Sequence, residues 1–400
     1  MKFPKAGSRR EILLERRNKK MARSPHAYVR GNTAKYYEWL DAQHAGTLPE
    51  GPPIWICGDC HMGNLGPVAD NDGQISLVIR DFDQTVIGNP SHDLVRLGLS
   101  LATAARSSSL PGMVTAHMLE SLIEGYGHAL RSKSDEPALP RPRSVKQILR
   151  GAARRSWKEL ARERIDDPLP SIPMGPNFWP LSNPERSAVE ALFATDAMLE
   201  LITRLKSRDA DAEVKVLDAA YWVKGCSSLG LLRYAVLVGV GDDECCLVDI
   251  KEAVRPIAPR PANVAMPRDN GRRVIAGARN MSPALGERML AQRFMEHAVF
   301  VRELMPQDLK LEIDTFSVEE ASRIAYYLAH VVGYAHARQM DSETRRNWAH
   351  DLASRRSKTL NAPSWLWTSV VQLLAAHESG YLEHCRRYAL STSGKRHTLA

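Results

Sequence analysis

The sequence predicts an α+β protein in two parts, helical for most of its length. Three observations carry that expectation. Apolar residues recur at helical spacing over long stretches, β-branched and aromatic runs gather in a section near 214–315, and clusters of Gly, Pro, Asp and Asn punctuate a compact stretch at 51–105.

Taken in order, residues 9–45 read as helix, with a break at Ser24-Pro25 and a candidate stop at Gly31. Gly51-Pro52-Pro53 opens a loop-rich unit in which 54–56 and 75–79 are short apolar strands and 58–73 is loop chemistry. Helical patterns follow at 94–105 and 113–130, then a linker at 137–143 and a further helix at 145–164. Residues 168–184 are proline-rich and irregular, and 184–205 are helical again. Strands are expected at 234–240 and 245–250 around a turn at 239–243, helix at 283–304, and two last helices at 318–338 and 365–390.

At 400 residues the chain is long enough for two packed units, and its 44% hydrophobic and 25% charged residues are ordinary for a globular protein. No apolar stretch approaches the roughly 20 residues of a membrane helix. The N-terminus lacks an apolar signal core and carries Glu11 and Glu15, so a cytoplasmic location without membrane attachment is expected. The net charge of +8 is spread along the chain and interleaved with acids. Its densest basic runs, 9–23 and 141–164, lack aromatic interleaving and any helix-turn-helix or zinc-finger pattern, so no nucleic-acid partner is expected. An anionic substrate such as a nucleotide would account for part of the excess. Six cysteines in a chain this long do not make a disulfide scaffold, and Cys245 and Cys246 read as small buried hydrophobes.

Chemistry concentrates in Gly58-Asp59-Cys60-His61-Met62-Gly63-Asn64, followed by Asp81-Phe82-Asp83. Phosphoryl transfer needs Mg²⁺ held against phosphates and a carboxylate that orients the attacking group. An Asp followed five residues later by Asn on one tight loop offers an orienting base and a carbonyl ligand, and an Asp just after a strand offers a metal carboxylate. Mg²⁺ prefers such oxygen ligands and keeps waters and substrate phosphates as its other partners. The strands flanking the loop are expected to bring Asp59 and Asp81 to one edge. Asp83 is either a second metal contact or a helix cap, and His61 either braces the loop or exchanges protons.

This block resembles the catalytic and metal motifs of the protein-kinase-like superfamily, in particular its aminoglycoside phosphotransferase and choline kinase branch. The resemblance implies that Asp59 is the catalytic base, that Asn64 and Asp81 bind Mg²⁺, and that Asp93 in Ser91-His92-Asp93-Leu94 braces the loop. It also calls for a phosphate-covering loop and a lysine. Lys224-Gly225-Cys226-Ser227-Ser228-Leu229-Gly230 and Val248-Asp249-Ile250-Lys251-Glu252-Ala253 supply them, downstream rather than upstream. Gly225, Ser227, Ser228 and Gly230 would then cover the nucleotide, and Lys251 would contact its phosphates. Ser227 stands where such loops commonly have glycine. Glu252 should point away from its neighbour, since strand side chains alternate, so the partner of Lys251 must come from elsewhere, and Glu287 on the following helix is the expected one. The helix ending Tyr334-Ala335-His336-Ala337-Arg338 resembles the one that leads into the catalytic loop.

That order is similar to an uncharacterised bacterial family, domain of unknown function 2252, and implies a bilobal protein-kinase-like fold that is circularly permuted. Residues 1–212 would form a helical large lobe carrying the catalytic and metal motifs, 213–315 a small β-rich lobe, and 316–400 helices completing the large lobe. The function implied is ATP- and Mg²⁺-dependent phosphoryl transfer to a hydroxyl-bearing acceptor. The alternatives are a nucleotide-binding regulatory pseudokinase and a kinase-like AMP transferase.

Blander readings stand beside these. Cys57-Gly58-Asp59-Cys60-His61 also spells the C-x-x-C-H of covalent haem attachment, but that needs export and a distal ligand, and a zinc site needs a second pair at usable spacing. Two cysteines packing beside a loop is simpler. Asp and Asn often do no more than cap turns. Arg30, beside Gly31, is either a contact for a phosphate or acidic substrate or a helix-end arginine on the surface.

Overall fold

A computed structural model of the chain describes residues 2–132, 139–154, 171–205, 208–241, 244–261, 263–305, 317–354 and 363–388. The N-terminal punctuation produces three helices, α1 (Arg9–Met21), α2 (Pro25–Gly31) and α3 (Thr33–Asp41). The Ser24 side chain accepts from the Ala27 amide ahead of Pro25, and the Asn32 side chain accepts from the Lys35 amide. Both satisfy donors that a helix start leaves unpaired.

Four short strands follow: β1 (Ile54–Ile56), β2 (Leu65–Ala69), β3 (Ile75–Ile79) and β4 (Val86–Gly88). β1 pairs with β4 and β2 with β3, both antiparallel. The stretch 58–73 is therefore not loop throughout. Gly66-Pro67 disguises β2, all five of whose residues are buried; a two-stranded ribbon has an outer edge where proline's missing donor costs nothing. The expected strands β1 and β3 also lie in different ribbons.

The helices α4 (Pro90–Ser107), α5 (Gly112–Arg131) and α6 (Arg143–Arg154) match the apolar periodicity, although the end of the 145–164 helix and part of the 137–143 linker fall outside the described residues. The proline-rich stretch, whose first residues are likewise outside, contains β5 (Phe178–Trp179). The helix expected at 184–205 is split into α7 (Asn183–Phe193) and α8 (Asp196–Thr203).

Downstream come β6 (Val214–Trp222), β7 (Arg233–Val240), β8 (Glu244–Glu252), α9 (Asn270–Met281), α10 (Pro283–Gly286), β9 (Met289–Phe294) and β10 (His297–Leu304). They form a six-stranded antiparallel sheet ordered β5-β6-β7-β8-β10-β9. Asp242 and Asp243 of the expected turn lie outside the described residues. Of the helix expected at 283–304 only α10 forms, and 289–304 is a hairpin instead. Its Met, Leu, Ala, Gln, Arg and Glu are good helix formers, and its turn uses Met295 and Glu296 at φ 47° and 67° rather than the usual Gly or Asn. Burial of Val299, Phe300 and Val301 in the sheet outweighs that local preference.

The last helices are α11 (Val318–Ala337), α12 (Ser342–Ser354) and α13 (Ser364–Tyr388), with residues 389 and 390 of the expected terminal helix outside the described set. α5 and α11 pack so closely that a Cβ on Gly125 would run into the Tyr326 carbonyl.

The architecture is mixed α+β with two main hydrophobic cores. One joins β1–β4 to helices from both ends of the chain, including Tyr36, Leu97, Tyr126, Leu328 and Leu366. The other lies on one face of the sheet, where Val236, Val248 and Val301 meet Val189 and Phe193 of α7, Met198 of α8 and Leu13 of α1. Residues upstream of 213 thus pack with the sheet. α1 is fastened there by a buried Arg9–Glu185 ion pair at 2.5 Å. No described helix is long and apolar enough to cross a membrane.

Candidate active site

The backbone of the Asp59 loop is tied from below. Asp93, at the start of α4, accepts from the amides of Cys57 at 2.7 Å and Gly58 at 3.0 Å. His336 Nε2, on α11, lies 3.2 Å from the same carboxylate, His336 Nδ1 lies 3.0 Å from the Tyr126 hydroxyl, and Trp348 donates to that hydroxyl. Asp93 therefore braces the loop, as the resemblance implied. Gly58 sits at φ 74°, and a Cβ there would collide with the Gln84 carbonyl. This close approach, not strand pairing between β1 and β3, brings the 58–64 and 81–85 segments together. Cys57 and Cys60 are buried beside the loop, as the simpler reading of that pair required.

Asp59 itself points inward. Its Oδ1 accepts from Arg96 Nε at 2.7 Å and its Oδ2 from the Thr33 hydroxyl at 2.9 Å, with Arg96 fully buried. His61 Nε2 is 4.0 Å from Oδ2. Burial, together with the charges of Arg96 and Arg30, holds the His61 imidazole well below its usual pKa and so neutral. Asn64 donates its amide nitrogen to the Asp59 carbonyl oxygen, which leaves its own oxygen for a cation.

The sheet supplies the other wall. On β8 the alternation sends Asp249 and Lys251 to one face, while Glu252 accepts from the Leu232 amide and contacts His297. Lys251 Nζ lies 3.5 Å from Asp81 Oδ1 and closer still to Asp83 Oδ2. These are its partners, and the expectation of Glu287 is corrected: Glu287 caps α10, with its side chain on Asn71 and its carbonyl on Arg204. Beside Lys251, Asp249 is fully buried and held by both arms of Arg233 at 2.8 and 2.5 Å, with Arg302 at 3.5 Å. The 223–232 connection between β6 and β7 turns on Gly225 and Gly230 at φ 95° and 98°, so the backbone bends at its two glycines, not at Ser227.

Between these walls lies a cavity of about 920 Å³, bordered by His61, Asn64, Asp81, Gly225, Ser227, Ser228 and Lys251. Gly230 and Asp83 border a smaller neighbour on the far side of the same loop. Asp59 borders neither, although Thr33 lines the smaller one. Among the described residues, seven lysines and arginines face the larger cavity against the single carboxylate of Asp81. Against the upward push of burial, Lys251, Arg302 and Arg233 hold Asp81 well below the usual carboxylate range. Burial and the neighbouring Asp81 charge push Asp83 up to about 6.

No cluster of three His, Cys, Asp or Glu side chains forms a metal cage among the described residues. A Mg²⁺ ion does not need one, since it usually relies on one or two carboxylates plus waters and phosphates. The oxygen set of Asp81, Asn64 and Asp83 fits it in kind, and Asp83 Oδ1 is buried without a hydrogen-bond partner among the described residues.

The sequence did not single out Arg96, Thr33, Arg233, Asp249 or Arg302. Two of them left a signal: Arg96 is one helical turn from Asp93, and Asp249 is two residues from Lys251 on the same strand face. The chain belongs to a bacterial family described as "Uncharacterized protein conserved in bacteria (DUF2252)", whose profile matches residues 9–387. No curated protein and no solved structure matches it.

Proposed function

We propose that the chain binds a nucleoside triphosphate with Mg²⁺ beneath the 223–232 loop and transfers the terminal phosphoryl group to a hydroxyl. The arrangement is kinase-like and bilobal, with its parts in circularly permuted order. One observation carries this reading. Lys251, on the second strand after a glycine-bearing loop, meets the carboxylates of Asp81 and Asp83 from a segment 170 and 168 positions earlier, at a cavity that Asn64 also lines. Protein kinases place their phosphate-covering loop and lysine on strands in the same way.

Asp81, Asn64 and Asp83 would hold the metal, which supplies charge neutralisation for the transferring group. Lys251, released from the two aspartates as the metal takes them, would pair with phosphate oxygens. The loop over the cavity would exclude water. For Asp59 to receive the acceptor proton, the acceptor hydroxyl must replace that of Thr33 on Oδ2. The test is calorimetric titration with ATP, with and without Mg²⁺. Metal-dependent binding is expected, weakened at least tenfold by Lys251→Met; its absence in the wild type removes the proposal.

The engagement of Asp59 by Arg96 and Thr33 favours a second reading, a nucleotide-binding protein that transfers nothing. Transfer of label from [γ-³²P]ATP to any acceptor excludes it.

A further inference from the structure

Arg30 is not a surface arginine. It ends α2 half-buried, facing the large cavity together with Lys20 and His26. Its guanidinium lies flat against the Asp59 loop: a Cβ on Gly63 would stand 2.6 Å from Nη2, 2.7 Å from Cζ and 3.0 Å from Nε. Glycine at 63 is thus the seat on which the guanidinium rests, one residue before Asn64.

The helix beneath is fixed at both ends. Ser24 caps its start, Arg17 donates to the Gly31 carbonyl, and Arg96 donates to the Val29 carbonyl. Gly31 is also wedged against Met21 and Cys226. Lys251 has Asp81 and Asp83, and Arg233 and Arg302 have Asp249. Arg30 has no carboxylate partner among the described residues. A cation carried on so firmly fixed a helix, with its charge unmatched, suits an anion that arrives with a ligand.

The metal-binding side chains and Lys251 already account for the phosphates of a nucleotide, and Arg30 comes from a different wall, on the N-terminal helices. Resting on the phosphotransfer reading above, we infer that Arg30 binds an anionic group, phosphate or carboxylate, carried by the hydroxyl-bearing acceptor. The acceptor is then an anionic hydroxy compound rather than a neutral sugar or an amino alcohol. A planar guanidinium offers either group two parallel N–H donors, and a lysine ammonium does not.

The full-length chain, saturated with Mg²⁺ and a non-hydrolysable ATP analogue, can be titrated with inorganic phosphate in one arm and acetate in the other. Saturable binding is expected in at least one arm, and the tighter arm names the acceptor's group. Arg30→Ala should weaken it about tenfold or more, and Arg30→Lys should recover only part of that loss. Gly63→Ala keeps the arginine but displaces its flexible tip, and should mimic Arg30→Ala. All three variants should bind the nucleotide analogue within about twofold of wild type. If Arg30→Ala binds both anions as the wild type does, or if it weakens nucleotide binding tenfold, the assignment to the acceptor is overturned. If the wild type binds no nucleotide while Arg30-dependent anion binding persists, the phosphotransfer reading fails and Arg30 keeps its role as an anion site.

Discussion

Asp59 and Asp81 are the two aspartates that anchor the motif pair, and they stand on neighbouring loops, yet they meet opposite surroundings. Asp81 borders the cavity, its charge held by Lys251 and Arg302 but open on one side. Asp59 is enclosed, with each carboxylate oxygen already taken by a buried donor. The residue type is the same; the donors around it decide whether it holds the fold together or faces a ligand. A carboxylate that shares a buried ion pair is costly to lose because its partner is left charged and dry. One facing a cavity is cheap to lose for the fold and costly for binding.

The largest effect expected from this contrast falls on stability. Asp59→Asn should cost about 3 kcal/mol in urea unfolding, because it strands the Arg96 guanidinium, which no solvent reaches. It should leave Mg·ATP affinity within about twofold. An unchanged unfolding midpoint would show that Arg96 is satisfied elsewhere. Asp81→Asn should do the reverse. Mg·ATP affinity should fall roughly 30-fold, about 2 kcal/mol, with little change in unfolding. Equal loss of nucleotide binding in both variants would erase the distinction between the two sites.

The smallest effect is in the pH dependence. Burial, the largest of the causes, holds the His61 imidazole well below its usual pKa, and likewise holds His377 on α13 down at about 3. Each binds fewer protons folded than unfolded. The contribution of these two histidines to stability is then full above about pH 6.5 and falls as pH drops below it, by about 1.4 kcal/mol per pH unit for each group. His61→Gln should remove one of these two contributions from a plot of unfolding free energy against pH, and a curve of unchanged slope would mean that His61 titrates normally.

Much of this site was written locally enough to be legible in the sequence. Gly58 through Asn64, the Asp81 motif and the strand bearing Lys251 are each short runs whose chemistry depends on near neighbours. What stayed hidden depends on distant ones. Nothing around Lys251 names Asp81 as its partner, and nothing around Asp59 names Thr33, 26 positions away, as the hydroxyl that occupies it. The 289–304 hairpin was masked for a different reason, because Met295 and Glu296 take a turn conformation that side chains rarely adopt. Only the sheet's demand for a partner beside β8 makes that turn worthwhile.

The first helix spans more of the molecule than its length suggests. Lys20 donates to the Gly225 carbonyl at 2.8 Å, and Leu13 is embedded in the core of the sheet. Near its C-terminal end, the carbonyls of Asn18 and Ala22 meet His384 and Tyr381 on α13. Any rocking of the sheet over the cavity must therefore drag α1 and tug at the last helix. Ligand arrival would then register beyond the cavity, as a change in hydrogen exchange that runs from 18–22 at its edge to 381–384 on the last helix.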